Sequence, residues 1–423
     1  MLKLHIGNIS DKEKRMETKK LIDCCEFISD GDHLPPPKSD SGVPFITISN
    51  ITGQNKLSFE DTMFVPESYY NGLNENKKAK KGDILYSVVG SFGKPVYVDF
   101  DKQMVFQRHI AILRPKRNVN ARFIYYTMLN PQFYKLVDKL AIGCSQRTVT
   151  LDTLRNIEVN LPDKDIQDKM VGILSLIDEK IDINNNVNDN LEQQAKLIYD
   201  YWFTQFDFPD ENGKPYCSSG GKMVWNEQLK RNIPENWNVV PLLKLVSWES
   251  NSQPPKSEFV YEPKEGYVRF IQNRDYDSDT HITYIPRTKN LSIVARFDIL
   301  MDKYGDAGAV RYGIEGAFNV ALGKICVHNP NYREYIRSFL GSDGIYKFLH
   351  NSCMASTRAS LSEANLAILN IVVPNEKIIL DYENFLHKIR VSILKNKDET
   401  VELINLRDWL LPMLMNGQAT IAD

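Results

Sequence analysis

Residues 166–202 decide the fold, and they read IQDKMVGILSLIDEKIDINNNVNDNLEQQAKLIYDYW. Their apolar side chains recur at steps of three, four or sums of these, and no proline interrupts them. Such spacing puts them on one narrow stripe of an α-helix, which is typical of a coiled-coil seam. We therefore predict a helix of about 40 residues, roughly 60 Å long. The predicted seam positions are Met170, Ile173, Ile177, Ile181, Val187, Leu191, Ile198 and Trp202.

The same pattern returns from Ile378, about half the chain later, and predicts a second long helix. Asn184 in the first helix and Asn396 in the second both fall where the seam calls for an apolar residue. A polar residue in a seam costs stability but fixes the register of the partner helix. We predict that these asparagines set the register of two antiparallel helices; the alternative is a local defect wetted by solvent. The second seam comprises Tyr382, Phe385, Ile389, Ile393, Thr400, Leu403, Leu410 and Leu414.

The rest of the chain also repeats at a nearly constant offset. Gly82–Leu85 is echoed by Phe297–Leu300, Phe106-Gln107 by Phe318-Asn319, and Cys144–Pro162 by Cys353–Pro374. This order predicts an internal duplication with a pseudo-twofold relation between its copies. Each copy holds short β-branched runs followed by helical spacing, at 122–140 and 332–349. We predict an α+β domain in each copy.

Composition and charge restrict the class of protein. The net charge of the 423 residues is −2, which argues against a nucleic-acid binder when taken whole. By segment, the charge is +5 for 1–160, −5 for 161–205, 0 for 206–374 and −2 for 375–423, so a phosphate-binding face is available in the first domain. The charged N-terminus and the lack of a long apolar run predict a cytoplasmic protein, with no membrane contact. The six scattered cysteines predict neither disulfides nor a zinc site.

The sequence contains none of the usual catalytic motifs in complete form. There is no GxxxxGK[ST] for a nucleotide phosphate, no GxGxxG after a strand, and no HExxH for a metal. Asn130–Phe133 and Asn329–Tyr332 resemble the methyltransferase turn [DN]PP[YF], but a polar residue replaces the second proline, and we interpret both as helix-start or loop turns. We therefore predict no catalytic site and no metal site in this chain.

Recognition motifs are better represented. The serines and the lysine of the loop Ser87–Pro95 could approach a phosphate, and Gln107 to His109 could contact base edges, since Gln pairs with adenine and Arg with guanine. Two further polar segments lie at equivalent points of the copies. The alternative for each residue is turn chemistry or a surface ion pair. These candidates are Ser87, Ser91, Lys94, Gln107, Arg108, His109, Gln146, Arg147, Thr357 and Arg358.

The junction Trp202–Leu242, with its Ile-Pro-Glu-Asn-Trp, resembles the linker of type I restriction–modification specificity (S) subunits. The loop GDILYSVVGSFGKP, the stretch Cys144–Pro162 and the duplication resemble the same family. The resemblance implies target recognition domains at 1–162 and 206–374, the second including the linker. It also implies helical regions at 163–205 and 375–423 that pair as antiparallel coiled-coil spacers.

The resemblance further implies a function. Each target recognition domain would read one half of a bipartite asymmetric site in double-stranded DNA. Two modification subunits, which hold S-adenosylmethionine, would dock on the frame, and restriction subunits would use ATP and Mg. This chain itself would be non-catalytic and hold no cofactor. The DNA contacts expected in the second copy are Asn273, Arg274, Lys303, Arg311 and Asn319.

Two other classes of function stay open on the residues alone. One is a self-contained DNA methyltransferase or endonuclease with an unrecognised active site, which would bind S-adenosylmethionine by itself. The other is a coiled-coil scaffold that does not recognise DNA, in which Arg147 and Arg358 would have no effect on modification.

Overall fold

The computed structural model describes residues 4–6, 16–144, 146–277, 281–354 and 360–421. The protein is mixed α and β, as predicted. It divides into two compact units, unit 1 with Met1–Ile183 and Glu399–Asp423, and unit 2 with Asn184–Asp398. Within the ranges that are described, none of the helices combines the length and the apolarity that a membrane span requires.

The described elements are numbered along the chain. The strands up to the first long helix are β1 Leu4–Ile6, β2 Met16–Lys20, β3 Cys25–Asp30, β4 Val43–Ile46, β5 Ile51–Gly53, β6 Lys56–Leu57, β7 Met63–Val65, β8 Ile84–Ser87, β9 Pro95–Tyr97, β10 Val105–Phe106, β11 Ile110–Pro115 and β12 Glu158–Pro162. The later strands are β13 Met223–Asn226, β14 Arg231–Pro234, β15 Asn238–Pro241, β16 Val246–Ser250, β17 Tyr267–Ile271, β18 Tyr284–Pro286, β19 Ile293–Val294, β20 Ile299–Asp302, β21 Val310–Arg311, β22 Gly316–Phe318, β23 Leu322–Val327, β24 Asn370–Val373 and β25 Ala419–Ile421. The α-helices are α1 Glu67–Gly72, α2 Ala121–Leu129, α3 Pro131–Leu140, α4 Leu151–Asn156, α5 Lys164–Tyr199, α6 Arg333–Leu340, α7 Asp343–Met354, α8 Glu363–Ala367 and α9 Glu376–Met415.

Unit 1 is built on an antiparallel sheet with the strand order β3-β11-β8-β9. A second sheet, β10-β4-β7, contains one parallel pair. The helical region predicted at 122–140 is present but divides at Asn130, whose side chain accepts a hydrogen bond from the Gln132 amide and caps α3. With Pro131 in the first turn, the helix-start or loop turn predicted from the sequence is a helix start.

Unit 2 has the same strand order in its main sheet, β16-β23-β20-β21, also antiparallel. Its second sheet, β18-β17-β22-β19, likewise contains one parallel pair, between β17 and β22. Asn329 caps the short 3₁₀ turn Pro330–Tyr332 by accepting a hydrogen bond from the Asn331 amide. The second predicted turn is therefore confirmed as well.

The long helices predicted from the two seams are confirmed as α5, with 36 residues, and α9, with 40. Two seam assignments are wrong, because Val187 is 41% exposed and Phe385 is 46% exposed. Each residue of an α-helix turns by about 100°, so a change of one position moves a side chain off the seam. The buried line in α5 instead follows alternating steps of three and four through Ile181, Asn184 and Asn188.

Segments of the two helices run antiparallel within each unit, because their contacts occur in reverse order along the chain. In unit 1, Asp178 of α5 pairs with Arg407 of α9 at 3.1 Å, and Lys180 pairs with Glu399 at 3.1 Å. In unit 2, Asn188 contacts Asn396, and the next turn of α5 carries Glu192, which pairs with Arg390.

Candidate nucleic-acid interface

One end of the main sheet in unit 1 brings together the three segments predicted to contact DNA. Ser87, the last residue of β8, lies opposite Ile110, the first residue of β11. The next residue, Val88, donates its backbone N–H to the His109 carbonyl at 2.9 Å and accepts from the Val149 N–H at 2.8 Å. Segments 87–94, 107–109 and 146–149 thus form one surface, which we call the unit 1 loop surface.

Ser87 is not an exposed contact, and this prediction is corrected. Its side chain is fully buried; its hydroxyl donates to the Ser91 carbonyl and accepts from the Lys94 amide, both at 3.0 Å. Both hydrogen bonds stay inside the loop, so Ser87 determines the loop's shape rather than reaching a ligand. Ser91 and Lys94 are exposed and stay available as phosphate contacts.

A tyrosine of α3 packs against the loop Ser87–Pro95. Tyr134 stacks on Phe92 with ring centroids 6.0 Å apart. Gly93 has a φ of +91°, and a Cβ placed there would lie 2.5 Å from the Tyr134 ring. Because only glycine tolerates both the left-handed backbone and this close approach, the packing fixes the course of the loop.

Arg147 forms the surface ion pair that was the alternative to a base contact. Its guanidinium donates to the carboxylate and to the backbone carbonyl of Asp138 on α3, and it lies 5.6 Å from the Phe92 ring centroid. Gly90 donates its N–H to the Arg147 carbonyl at 2.9 Å. Arg147 therefore ties two loops to α3, whereas its neighbour Gln146 is exposed.

Gln107, Arg108 and His109 form the tight turn that enters β11. Arg108 is exposed, and its Nε lies 3.5 Å from His109 Nε2. Burial, and then the Arg108 charge, lower the pKa of His109. At neutral pH His109 is therefore uncharged, with one ring nitrogen that donates and one that accepts.

Unit 2 repeats this construction at the equivalent end of its main sheet. Lys303 follows β20 as Val88 follows β8; its backbone N–H donates to the Ala321 carbonyl at 2.8 Å, and its carbonyl accepts from the Leu361 N–H at 3.0 Å. Gly308 donates to the Asp302 carbonyl at 2.9 Å, as Gly93 does to Ser87 at 3.0 Å. Segments 303–309, 319–321 and residue 361 form the unit 2 loop surface.

Arg311 is not a free cation, and its predicted DNA contact stays a prediction. Its guanidinium donates twice to the carboxylate of buried Asp302, at 2.8 and 3.2 Å, and lies 3.5 Å from Asp306. Burial raises the pKa of Asp302 although Arg311 lies against it. An aspartate thus stands where unit 1 has Ser87, and Arg311 serves as its internal partner.

The remaining candidates in unit 2 lie beside this pair. Lys303 and Asn273 are half-buried, and Arg274 is exposed. Asn319 caps its own turn, since its side-chain oxygen accepts from the Ala321 N–H at 3.0 Å. Thr357 and Arg358 lie outside the described residues.

Large apolar side chains are exposed along both long helices. Contiguous exposed apolar patches mark protein-binding surfaces, whereas single exposed apolar side chains are ordinary. In unit 1 they are Leu176, Ile183, Val401, Leu406 and Trp409. In unit 2 the long helices expose Val187, Leu197, Phe385 and Val391.

The side chains that pack against the loops were not identified from the sequence. For two of them, the internal repeat contained the information needed. Tyr134 and Tyr346 are 212 residues apart, and each contacts the loop of its own unit, Tyr346 by donating to Asp306. The constant offset of the duplication could have identified them. The acids Asp138 and Asp302 gave no such signal, because their partners depend on loop packing. The described residues contain no group of three or more His, Cys, Asp or Glu side chains placed to hold a metal ion.

Comparisons with known proteins point to one family. Residues 13–193 match the family model for the type I restriction modification DNA specificity domain. The chain is 23% identical to the specificity subunit of the type I restriction enzyme HindI of Haemophilus influenzae, over 81% of this chain and 87% of that protein. It is 22% identical to the specificity subunit of the enzyme MjaIX of Methanocaldococcus jannaschii, over 73% and 71%.

The fold is also found among solved structures. The crystal structure of a type I restriction-modification S subunit from M. genitalium matches with a TM-score of 0.61 at 15% identity. The match covers 96% of this chain and 98% of that one. At this identity the match establishes a shared fold.

Proposed function

Because the chain belongs to the family of type I restriction-modification specificity subunits, we propose that it selects the DNA sequence on which such a complex acts. It binds a bipartite, asymmetric site in double-stranded DNA. It also holds the methyltransferase and restriction subunits in place, and it performs no chemistry itself. The four segments are the two recognition domains at 1–162 and 206–374 and the helical regions at 163–205 and 375–423.

One observation carries this proposal. Each unit has a loop surface of equivalent construction, and it lies at the equivalent end of that unit's main sheet. The matching hydrogen bonds at Val88 and Lys303 support an origin by duplication with a pseudo-twofold relation. Two similar surfaces on one chain suit a site with two halves. Different side chains on the two surfaces suit an asymmetric site, because base edges are read by the identity of the donors and acceptors.

In unit 1, exposed Ser91 and Lys94 contact phosphates, and Gln107, Arg108 and Gln146 contact base edges. Phosphate contacts position a protein on DNA and base contacts give specificity. His109, being half-buried and uncharged, contributes a neutral donor or acceptor. In unit 2, the corresponding contacts come from Lys303, Asn273, Arg274 and Asn319, and we propose Thr357 and Arg358 as further contacts on the strength of the sequence repeat alone.

The two long helices act as antiparallel coiled-coil spacers that set the gap between the half-sites. The hydrogen bond from Asn396 to Asn188 supports a fixed register, and Asn184 is buried on the same seam. The exposed apolar side chains of α5 and α9 support docking of partner subunits on these helices. We propose two modification subunits, which bring S-adenosylmethionine, and restriction subunits, which bring ATP and Mg. This chain holds no cofactor, and the complex acts in the cytoplasm.

Binding experiments on the assembled complex test the proposal. The methylated sequence is first identified by methylome sequencing of cells with and without this chain. Fluorescence anisotropy then measures the dissociation constants for a duplex with that sequence and for a scrambled duplex. Both are measured with the chain alone and with the chain bound to its modification subunits. We expect preference for the methylated sequence in the complex. Equal binding to both duplexes in the complex contradicts the proposal, and so does S-adenosylmethionine binding by the isolated chain.

A matched pair of insertions tests the spacer role. Seven residues inserted into α5 alone should disrupt pairing of the helices, because the seams no longer face each other over their length. The same insertion in both helices should restore assembly and lengthen the gap in the methylated sequence. An unchanged gap in the double insertion refutes the spacer role.

A further inference from the structure

A Pro-Pro-Lys-Ser segment occurs once in each unit, at Pro36–Ser39 and at Pro254–Ser257. An acidic residue, Asp40 or Glu258, follows each of them. The first segment comes after β3 and the second after β16, and these strands hold the same position in the two main sheets. We call residues 33–39 and 252–259 the proline arches.

Both arches begin after a residue whose side chain accepts a hydrogen bond from the next backbone N–H. Asp32 accepts a hydrogen bond from the His33 N–H at 2.9 Å, and Asn251 accepts from the Ser252 N–H at 3.0 Å. In unit 1 the Asp32 carbonyl also accepts from the Arg108 N–H at 3.0 Å. In unit 2, Ser250 at the end of β16 pairs with Gly323, directly after the turn that carries Asn319.

Both arches also end at a fixed point. The Ser39 N–H donates to the Phe64 carbonyl of β7 at 2.9 Å, and the Val260 N–H donates to the Tyr284 carbonyl of β18 at 3.0 Å. Strands β7 and β18 correspond, since each is the antiparallel neighbour of the strand that contacts the loop surface. Two fixed ends and prolines with a restricted φ leave little freedom in between.

The burial of the arch residues is repeated as well. The first shared proline, Pro36 or Pro254, is half-buried, while the second proline and the lysine after it are exposed. Within the described parts of the chain, neither Lys38 nor Lys256 forms an ion pair or a side-chain hydrogen bond. In contrast, Lys77 in the same region pairs with Asp32 at 3.2 Å.

The two arches differ in sequence outside the shared segment and in local structure, since Lys256–Glu258 form a 3₁₀ turn whereas residues 35–38 are irregular. Unit 1 has Leu34-Pro35 where unit 2 has Ser252-Gln253. Two surfaces that read different half-sites contact different bases. The contacts they have in common are therefore to the phosphate backbone, which is the same in every DNA sequence. A shared, exposed lysine on a stiff support beside each loop surface fits that role.

We propose that the proline arches are equivalent phosphate clamps, in which Lys38 and Lys256 each bind the DNA backbone and position their unit on its half-site. This inference rests on the proposed function, because it needs DNA on the loop surfaces. It adds a pair of sequence-independent contacts to the side chains that read bases.

The salt dependence of binding tests the clamps in the complex with modification subunits. Each lost phosphate contact lowers the slope of log K against log salt concentration by about 0.9. Lys38→Ala and Lys256→Ala should each lower the slope by about 0.9, and the double variant by about 1.8. At 0.15 M salt each should weaken binding to the cognate and to a scrambled duplex by the same factor, roughly fivefold.

Three controls make the result specific. Lys38→Arg and Lys256→Arg keep the charge and should keep the slope. Lys289→Ala removes an exposed lysine beyond Pro286, at the far end of the β17–β18 pair from Asn273, and should leave the slope unchanged. The thermal midpoint of all variants should equal that of the wild type, because the lysines are exposed.

The outcomes separate this inference from the proposed function. A wild-type complex without preference for the cognate duplex contradicts the proposed function. A wild-type complex with that preference, but with an unchanged slope in either alanine variant, overturns the inference. A loss confined to the cognate duplex overturns it too, since that would be a base contact.

Discussion

Asn396 on α9 donates a hydrogen bond from its amide nitrogen to the amide oxygen of Asn188 on α5, 2.9 Å away. Asn188 in turn donates to the Ile393 carbonyl at 3.3 Å. Asn188 is 7% exposed, so the free energy of this contact depends on both partners being present.

We expect the single replacement to destabilise the protein more than the double replacement does. Asn396→Leu leaves the buried Asn188 side chain without its cross-helix donor and should lower the free energy of unfolding by roughly 1–3 kcal/mol. Asn188→Leu with Asn396→Leu should recover most of that loss but weaken the preference for one register. Urea unfolding of the full chain measures the first effect, and disulfide trapping between shifted cysteine pairs measures the second. A double variant less stable than both single variants contradicts this account.

Gly93→Ala should open the unit 1 loop, because the new Cβ meets the Tyr134 ring at 2.5 Å and φ is +91°. We expect a loss of roughly 1–3 kcal/mol in local stability, seen as faster hydrogen exchange at residues 88–94. Adding Tyr134→Ala should remove the clash but not the backbone strain, so the recovery should be partial. Gly172→Ala in α5 is the matched control, since nothing lies within 4 Å of its Cβ position. That change should stabilise by about 0.5–1 kcal/mol, and exchange in the loop should not respond to it.

Arg108 and Arg147 should behave differently in DNA binding. Arg108→Ala removes an exposed guanidinium and should cost about 1–3 kcal/mol and relax specificity at one base pair. Arg147→Ala should act through its contacts with Asp138, so the double variant should have the same effect as Arg147→Ala alone. Asp138→Ala keeps the backbone carbonyl that accepts from Arg147 and should have a smaller effect in the same direction. Anisotropy titrations with single-base-changed duplexes provide the data. If Asp138→Ala leaves binding intact while Arg147→Ala abolishes it, Arg147 contacts DNA directly.

Glu383 should make unit 2 less stable as the pH rises. Burial raises the pKa of Glu383 to about 7, and the nearby Glu334 carboxylate adds to this shift. The folded state thus retains a proton that the unfolded state loses near pH 4.5, so this contribution is full below that pH and is lost as the pH rises through about 7.

Glu383→Gln removes this dependence while keeping an acceptor for the Glu334 N–H, which lies 2.7 Å from the carboxylate. At pH 8 we expect the variant to be more stable than the wild type by roughly 1–2 kcal/mol, since one pKa unit is about 1.4 kcal/mol and the site is partly screened. Thermal midpoints between pH 4 and pH 9 provide the measurement. Glu402→Gln, at an exposed position of α9, is the control and should leave the pH profile unchanged. Parallel profiles for wild type and Glu383→Gln refute the assignment.

Much of the fold could be predicted because it depends on local pattern. Helical spacing predicted α5 and α9 to within a few residues, and the segments at Asn130 and Asn329 were predicted as helix-start or loop turns, where the structure has capped turns. The exact seam was less accessible: Val187 is apolar yet exposed, whereas Asn188 beside it is buried. Apolar character alone does not determine which of two adjacent residues, such as Val187 and Asn188, faces the partner helix.

The candidate site was predictable as a set of loops but not as a set of side-chain roles. The offset of 212 residues placed equivalent segments in both copies. This offset did not predict that Ser87 forms hydrogen bonds within its own loop or that Arg311 pairs with buried Asp302. Whether a polar side chain faces solvent depends on partners that approach from elsewhere in the chain.

By itself, the sequence determined two long helices, a repeated α+β plan and the segments that carry polar residues, because periodicity and duplication are properties of chain order. Only the tertiary structure decided that Asn396 meets Asn188, that Arg147 is held by Asp138, and that both proline arches end on a matching strand. Those relationships depend on which distant segments come within hydrogen-bond distance, and the spacing of residues along the chain does not contain that information.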